Sequence, residues 1–183
     1  ARLLVLQCHA VEVQRFTNSA VGLWAQAEWW RPITSLFLHA DLEHLLGNAA
    51  LGTLLGLWAA HAIGANLAWP LILLSGALGN AINTILRATE DFSSLGASTA
   101  VFGALGLLTG IGGFHAFRLP SRAGPLRPLT PMVAAMILRA WFGGGGPRTD
   151  VTAHLCGFGV GTCLGPIAAA WSLRQQTGAP KPA

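Results

Sequence analysis

The sequence is poor in charged residues and contains no tyrosine at all. Only 10% of its 183 residues are Asp, Glu, Lys or Arg, against about 25% in ordinary soluble domains. Cysteine is scarce too: Cys8, Cys156 and Cys163 form no CxxC pair, so neither a disulfide framework nor a zinc site is expected. The net charge of +4 comes from scattered basic residues, which argues against a nucleic-acid surface.

Three long stretches of the chain contain no charged residue. They cover residues 44–86, 92–117 and 151–173. A helix needs roughly 20 apolar residues to cross a bilayer, so the first stretch has room for two spans and each of the others for one. Because apolar residues also make up 52% of the chain, we predict an all-α, polytopic transmembrane helical bundle.

Five complete helices are predicted from these stretches and from the turn residues between them. They cover residues 42–63, 67–86, 97–117, 130–142 and 150–173. Pro70 would lie in the first turn of the second helix, where a missing N–H costs little. The tryptophan-rich residues 13–42 are expected to lie against the membrane interface, where Trp is favoured.

The domain organisation follows from the same pattern. Residues 1–12 contain an apolar run that is too short to span, and we interpret them as the remnant of a truncated first transmembrane helix. Residues 13–173 then form the transmembrane core, and residues 174–183 form a cytoplasmic tail.

The loop between the third and fourth predicted helices sets the orientation. Residues 118–129 carry three arginines and no acid, so the positive-inside rule places this loop in the cytoplasm. Arg174 and Lys181 fall on the same side. The helices that start at Ser98 and Asp150 would therefore begin on the extracytoplasmic side.

Four polar residues stand out because polar groups within spans are costly and often functional. Two of them, His44 and Asn48, lie four residues apart and therefore on one face of a helix. Both could donate a hydrogen bond to the same oxygen atom. The alternative is that they act as polar glue between helices.

The third is Ser98, in the segment GASTAVFGALG. It lies at a helix start, where free N–H groups and the helix dipole would stabilise an oxyanion. The alternative is an N-cap, a position where serine is common.

The fourth is His154, in the segment AHLCGFGVGTCLG. Small residues recur every four positions after it, and glycines also follow Ser98 along its own helix. Such stripes let two helices approach closely, so Ser98 and His154 could meet near the outer ends of their helices. A serine nucleophile needs a base within hydrogen-bond reach, and histidine suits that role.

The predicted pair is a dyad without a carboxylate. Asp150, one turn before His154, is expected to be exposed. Phe102 lies one turn after Ser98 and could orient the imidazole of His154 by stacking on it.

The segments WWRPITSLFLHADLEHLLGN, GASTAVFG and AHLCG together resemble the rhomboid family of intramembrane proteases, in the family's order. The resemblance implies that Ser98 is the nucleophile, that His154 is its base, and that His44 and Asn48 donate to the oxyanion. It also implies that Trp30 and Arg31 belong to a membrane-embedded loop. Two features depart from the family pattern: phenylalanine replaces the usual tyrosine at position 102, and five complete helices are predicted instead of six.

The resemblance therefore implies a serine endopeptidase that needs no cofactor or metal and acts on transmembrane protein substrates within the lipid bilayer. A bacterial inner membrane is the expected location, with the active site opening to the extracytoplasmic side. One alternative is a non-catalytic rhomboid-like protein that binds membrane clients. Another is a haem-binding membrane protein that uses His44, His61, His115 or His154.

Overall fold

The computed structural model describes residues 13–118 and 149–178. Within them lie four long helices, which are α1 (Leu42–Ile63), α2 (Ala65–Leu86), α3 (Ser98–Arg118) and α4 (Val151–Gly178). Each is long and apolar enough to cross a membrane, which confirms the predicted all-α transmembrane bundle. The predicted span over residues 130–142 and the proposed helix remnant over residues 1–12 lie outside the described residues.

Two helix boundaries differ from those predicted by more than one residue. Helix α2 begins at Ala65, because the single residue Gly64, with φ of +88°, makes the whole turn from α1. Pro70 consequently lies in the second turn of α2 and not in the first. Helix α4 continues past Leu173 to Gly178, through Arg174 and Gln175, which are good helix formers.

A compact segment without long helices precedes α1. It contains a π-helical turn (Val21–Ala25), one turn of α-helix (Arg31–Thr34) and a 3₁₀ turn (Ser35–Phe37). Arg31 is buried in this segment because its donors are used: Nε donates to Glu28 Oε2 at 2.6 Å, and Nη1 donates to the Gln14 carbonyl at 2.7 Å. Trp24 and Trp29 are exposed, and their expected place at the membrane interface stays a prediction.

This segment is hydrogen-bonded both to α2 and to the loop that leads into α3. The buried Asn80 Nδ2 donates to the Pro32 carbonyl and to Ser35 Oγ, each at 3.0 Å. The Gly96 N–H donates to the Ser35 carbonyl at 2.9 Å. The backbone just before Ser98 is therefore held by the segment that precedes α1.

Helices α3 and α4 pack through their glycines, as the small-residue stripes predicted. A Cβ added at Gly161 would clash with the Gly103 carbonyl, and one at Gly165 would lie 2.6 Å from the Leu107 carbonyl. These are contacts with main-chain atoms, so the two backbones touch directly. Leucine-sized side chains at such positions would separate the helix axes to about 8–10 Å.

Candidate active site

The structure brings Ser98 and His154 together. Ser98 is the first residue of α3, and His154 lies in the first turn of α4. Their Oγ and Nε2 atoms are 2.8 Å apart, which is a hydrogen bond of good length. The Ser98 hydroxyl is thus engaged with an imidazole from another helix, which a simple N-cap role would not require.

Close backbone packing directly beneath the pair makes this distance possible. A Cβ added at Gly157, three residues after His154, would clash with the carbonyl of Thr99. A Cβ at Gly79 of α2 would lie 2.7 Å from the Gly157 Cα. Three helices therefore meet within one turn of Ser98, and only glycine fits at two of the contacts.

Phe102 fixes the plane of the His154 ring. The two rings are stacked, with centroids 4.4 Å apart and an angle of 10° between their planes. Phe102 lies one turn after Ser98 on α3, so the helix that carries the hydroxyl also carries the ring that holds the imidazole. The stack gives the histidine a preferred orientation without using a carboxylate.

His44 and Asn48 lie together beside the loop that enters α3. The Asp41 carboxylate caps α1 by accepting the His44 N–H at 2.8 Å, which sets His44 in the first turn. A Cβ added at Gly96 would lie 2.8 Å from His44 Nε2 and 3.6 Å from Asn48 Nδ2. Gly96 also has φ of +124°, so both its backbone conformation and its surroundings require glycine.

The Asn48 side chain supplies a buried hydrogen-bond donor. Its Nδ2 atom has no partner among the described residues. Buried polar groups are normally hydrogen-bonded, and an exception calls for an explanation. If Asn48 served as glue between helices, a partner on a neighbouring helix would be expected.

Asp150 is not exposed, so that expectation was wrong. Its side chain is only 13% exposed because it caps α4 and meets two groups from the end of α2. The carboxylate accepts from the Ala153 N–H at 3.1 Å and from Asn83 Nδ2 at 2.8 Å, and it pairs with Arg87 Nη1 at 3.2 Å.

His39 is a further residue at the site that the sequence did not single out. The N–H of Ala97, next to Ser98, donates to His39 Nε2 at 3.5 Å, and the His39 ring packs edge-on against His44 with centroids 5.2 Å apart. Burial disfavours the imidazolium and the neighbouring His44 adds to this, so the pKa of His39 is lowered. His39 precedes the first predicted span, and only the fold brings the loop before Ser98 against it.

The four histidines considered for haem do not gather in one place. His61 and His115 lie in the last turns of α1 and α3, at the ends opposite to His44 and Ser98. Seventeen residues of helix, or roughly 25 Å at 1.5 Å per residue, separate His44 from His61. Within residues 13–118 and 149–178, no group of three or more His, Cys, Asp or Glu side chains could hold a metal ion.

Comparison with known proteins identifies relatives of this chain. The Rhomboid domain family model matches residues 26–171, a range that contains every site residue named above. The Bacillus subtilis (strain 168) protein named "Putative rhomboid protease YdcA" is 35% identical over 103 residues. These residues are 56% of this chain and 51% of YdcA. Rhomboid protease GluP of the same organism is 29% identical over 137 residues, which are 74% of this chain and 25% of GluP.

A plant protein is also similar. RHOMBOID-like protein 7 of Arabidopsis thaliana is 34% identical over 79 residues, or 43% of this chain and 25% of its own length. The chain thus matches between a quarter and about half of the length of these relatives.

Proposed function

The chain belongs to the rhomboid family, and from this premise we propose that it is an intramembrane serine endopeptidase that cleaves transmembrane protein substrates with a Ser98–His154 dyad. It is an integral membrane protein, with four helices in the described part of the chain that are long and apolar enough to cross a bilayer. The single observation that carries the catalytic assignment is the 2.8 Å contact between Ser98 Oγ and His154 Nε2.

In the proposed reaction, Ser98 Oγ attacks the carbonyl carbon of the scissile peptide bond. His154 Nε2 accepts the hydroxyl proton as the C–O bond forms, and then gives it to the leaving amine as the C–N bond breaks. A water molecule next attacks the ester carbonyl and loses a proton to the same nitrogen, which returns that proton to Ser98 Oγ as the ester C–O bond breaks and the carboxylic acid product leaves. One imidazole serves both steps because, within each step, it gives up the proton that it has taken.

The oxyanion would form between the start of α3 and the side chains of His44 and Asn48. His44 and Asn48 flank the loop at Gly96, two residues before Ser98, and the start of α3 provides free backbone N–H groups. The buried Asn48 Nδ2, which lacks a partner in the described part of the chain, would gain one when the oxyanion forms. Donors placed in advance in this way stabilise the transition state without reorganising during the reaction.

Phe102 takes the orienting role that a carboxylate has in a triad. Its ring holds the imidazole plane by stacking at 4.4 Å. The tyrosine that is common at this position in the family has the same ring with a hydroxyl added, so the substitution retains the stacking surface.

We also propose that the site opens to the extracytoplasmic side of a bacterial inner membrane. Arg118 and Arg174 lie near the ends of α3 and α4 that are remote from Ser98 and His154, in agreement with cytoplasmic ends there. Among the described arginines on the proposed outer side, Arg31 pairs with Glu28 and Arg87 pairs with Glu90.

Cleavage of a reporter transmembrane substrate by purified protein in detergent or liposomes tests the proposal. The parent should release two defined fragments, while Ser98→Ala and His154→Ala should release none although both remain folded. If the parent binds transmembrane clients without cutting any of them, the chain is a non-catalytic rhomboid-like protein.

A further inference from the structure

We propose that Asp150, held by Arg87, is a positioning residue that places His154 over Ser98. The inference rests on the proposed function, because it concerns the geometry of the same dyad. Asp150 was expected to be exposed, but its carboxylate is largely buried, and the proposal gives this buried carboxylate a defined role.

The Asp150 carboxylate joins two helices. Oδ1 accepts the Ala153 N–H of α4 at 3.1 Å. Oδ2 accepts from Asn83 Nδ2 of α2 at 2.8 Å and pairs with Arg87 Nη1, just after α2, at 3.2 Å. One oxygen therefore caps the helix that carries His154, and the other fastens that cap to the end of α2.

Arg87 is itself held in place on two further sides. Its Nε donates to Glu90 Oε2 at 2.6 Å, and its guanidinium lies 4.2 Å above the centre of the Phe92 ring. The Asn83 side chain is fully buried. The partners of Asp150 are thus restrained before the carboxylate meets them, so they can fix its position.

A shift of Asp150 would be passed on to His154 through one turn of backbone. The His154 N–H donates to the Asp150 carbonyl at 3.3 Å. The position of Asp150 therefore also sets the position of His154 along and around the axis of α4. The proposed reaction depends closely on the distance between Ser98 and His154, since a misplacement of about 1 Å can cost on the order of 100-fold in rate.

Asp150→Asn separates this role from ordinary capping. Asparagine is as good an N-cap as aspartate, so the bond to the Ala153 N–H can persist. The charge that attracts Arg87 is lost, and the new amide group would bring a donor toward the donor of Asn83. The variant therefore loosens the link to α2 while it keeps the cap on α4.

The experiment measures the rate at which a fluorophosphonate labels the protein, and kcat and KM for a reporter substrate, with the folded fraction recorded for each variant. Asp150→Asn should lower the labelling rate and kcat by about 10- to 100-fold with little change in KM. Arg87→Gln should cause a similar loss, and Arg87→Lys should recover part of it. The double variant should lose no more than either single one, since both act through one contact.

Arg15→Gln is the matched control. It removes an arginine outside the Asp150 contact, whose side chain is 69% exposed and pairs with Glu28 at 3.8 Å. Exposed pairs contribute little, so the rates of this variant should be parental. The proposal is overturned if Asp150→Asn labels and turns over like the parent, or if its loss is explained by a smaller folded fraction. Failure of the parent itself to label or cut would instead reject the proposed function, and this inference with it.

Discussion

Gly157 of α4 lies against the carbonyl of Thr99, the residue that follows Ser98 in α3. This contact sets the distance between the two backbones just below Ser98 and His154. A side chain at position 157 has no space to occupy unless the helices separate, and their separation would lengthen the gap that Ser98 and His154 bridge.

Gly157→Val should therefore reduce the activity of folded protein by on the order of 100-fold, although no reacting atom is touched. Gly159→Val, on the same helix, is the control, because a Cβ at Gly159 has no neighbour within 4 Å. The measurement is specific activity per folded molecule, with thermal unfolding recorded alongside. Equal activity of Gly157→Val and Gly159→Val would show that this contact does not set the dyad geometry.

Asn48→Ala should slow turnover by about 100- to 1000-fold, which is the usual effect of removing one oxyanion donor. Its thermal stability should stay close to that of the parent, because Asn48 Nδ2 has no hydrogen-bond partner in the described residues. A large loss of stability, with an unchanged rate for the molecules that remain folded, would favour the interhelical-glue interpretation.

Phe102→Ala should lower kcat by roughly 2- to 10-fold, since an aromatic pair contributes about 0.5–1.5 kcal/mol and the stack on His154 is removed. Phe102→Tyr keeps the ring and should remain near the parental rate. Both variants are compared by steady-state kinetics on the same reporter substrate. An unchanged kcat for Phe102→Ala would mean that the ring does not orient the imidazole.

Single cysteines in a background without native cysteines test the proposed orientation. Asp91→Cys, in the exposed loop before α3, should react with a membrane-impermeant maleimide added to intact cells. Ala123→Cys, in the arginine-rich loop, should react only after the membrane is permeabilised. The reverse pattern would put the site on the cytoplasmic face.

The sequence predicted the parts of the fold that depend on local pattern. The uncharged stretches predicted the four long helices of the described residues. The small-residue stripes predicted the contact of α3 with α4 that brings Ser98 near His154. The burial of Asp150 could not be predicted in this way, because its partners Asn83 and Arg87 lie more than sixty residues earlier in the chain. The capping role alone had a local signal, as aspartate directly before a helix is a common N-cap.

His39 was missed for a related reason. It precedes α1 and forms no helical pattern with His44, so neither spacing nor polarity within a span marks it. Its contacts with Ala97 and His44 exist only because the loop before α3 folds back over the start of α1.

The most direct test of the account identifies the residue that a fluorophosphonate probe modifies. The protein is labelled in detergent, digested, and the modified peptide sequenced by mass spectrometry, with Ser98→Ala and His154→Ala as comparators. The account predicts one adduct, on Ser98, that is absent in Ser98→Ala and strongly reduced in His154→Ala, because the hydroxyl then lacks its base. An adduct on another serine, or equal labelling of the His154→Ala variant, would contradict the Ser98–His154 dyad.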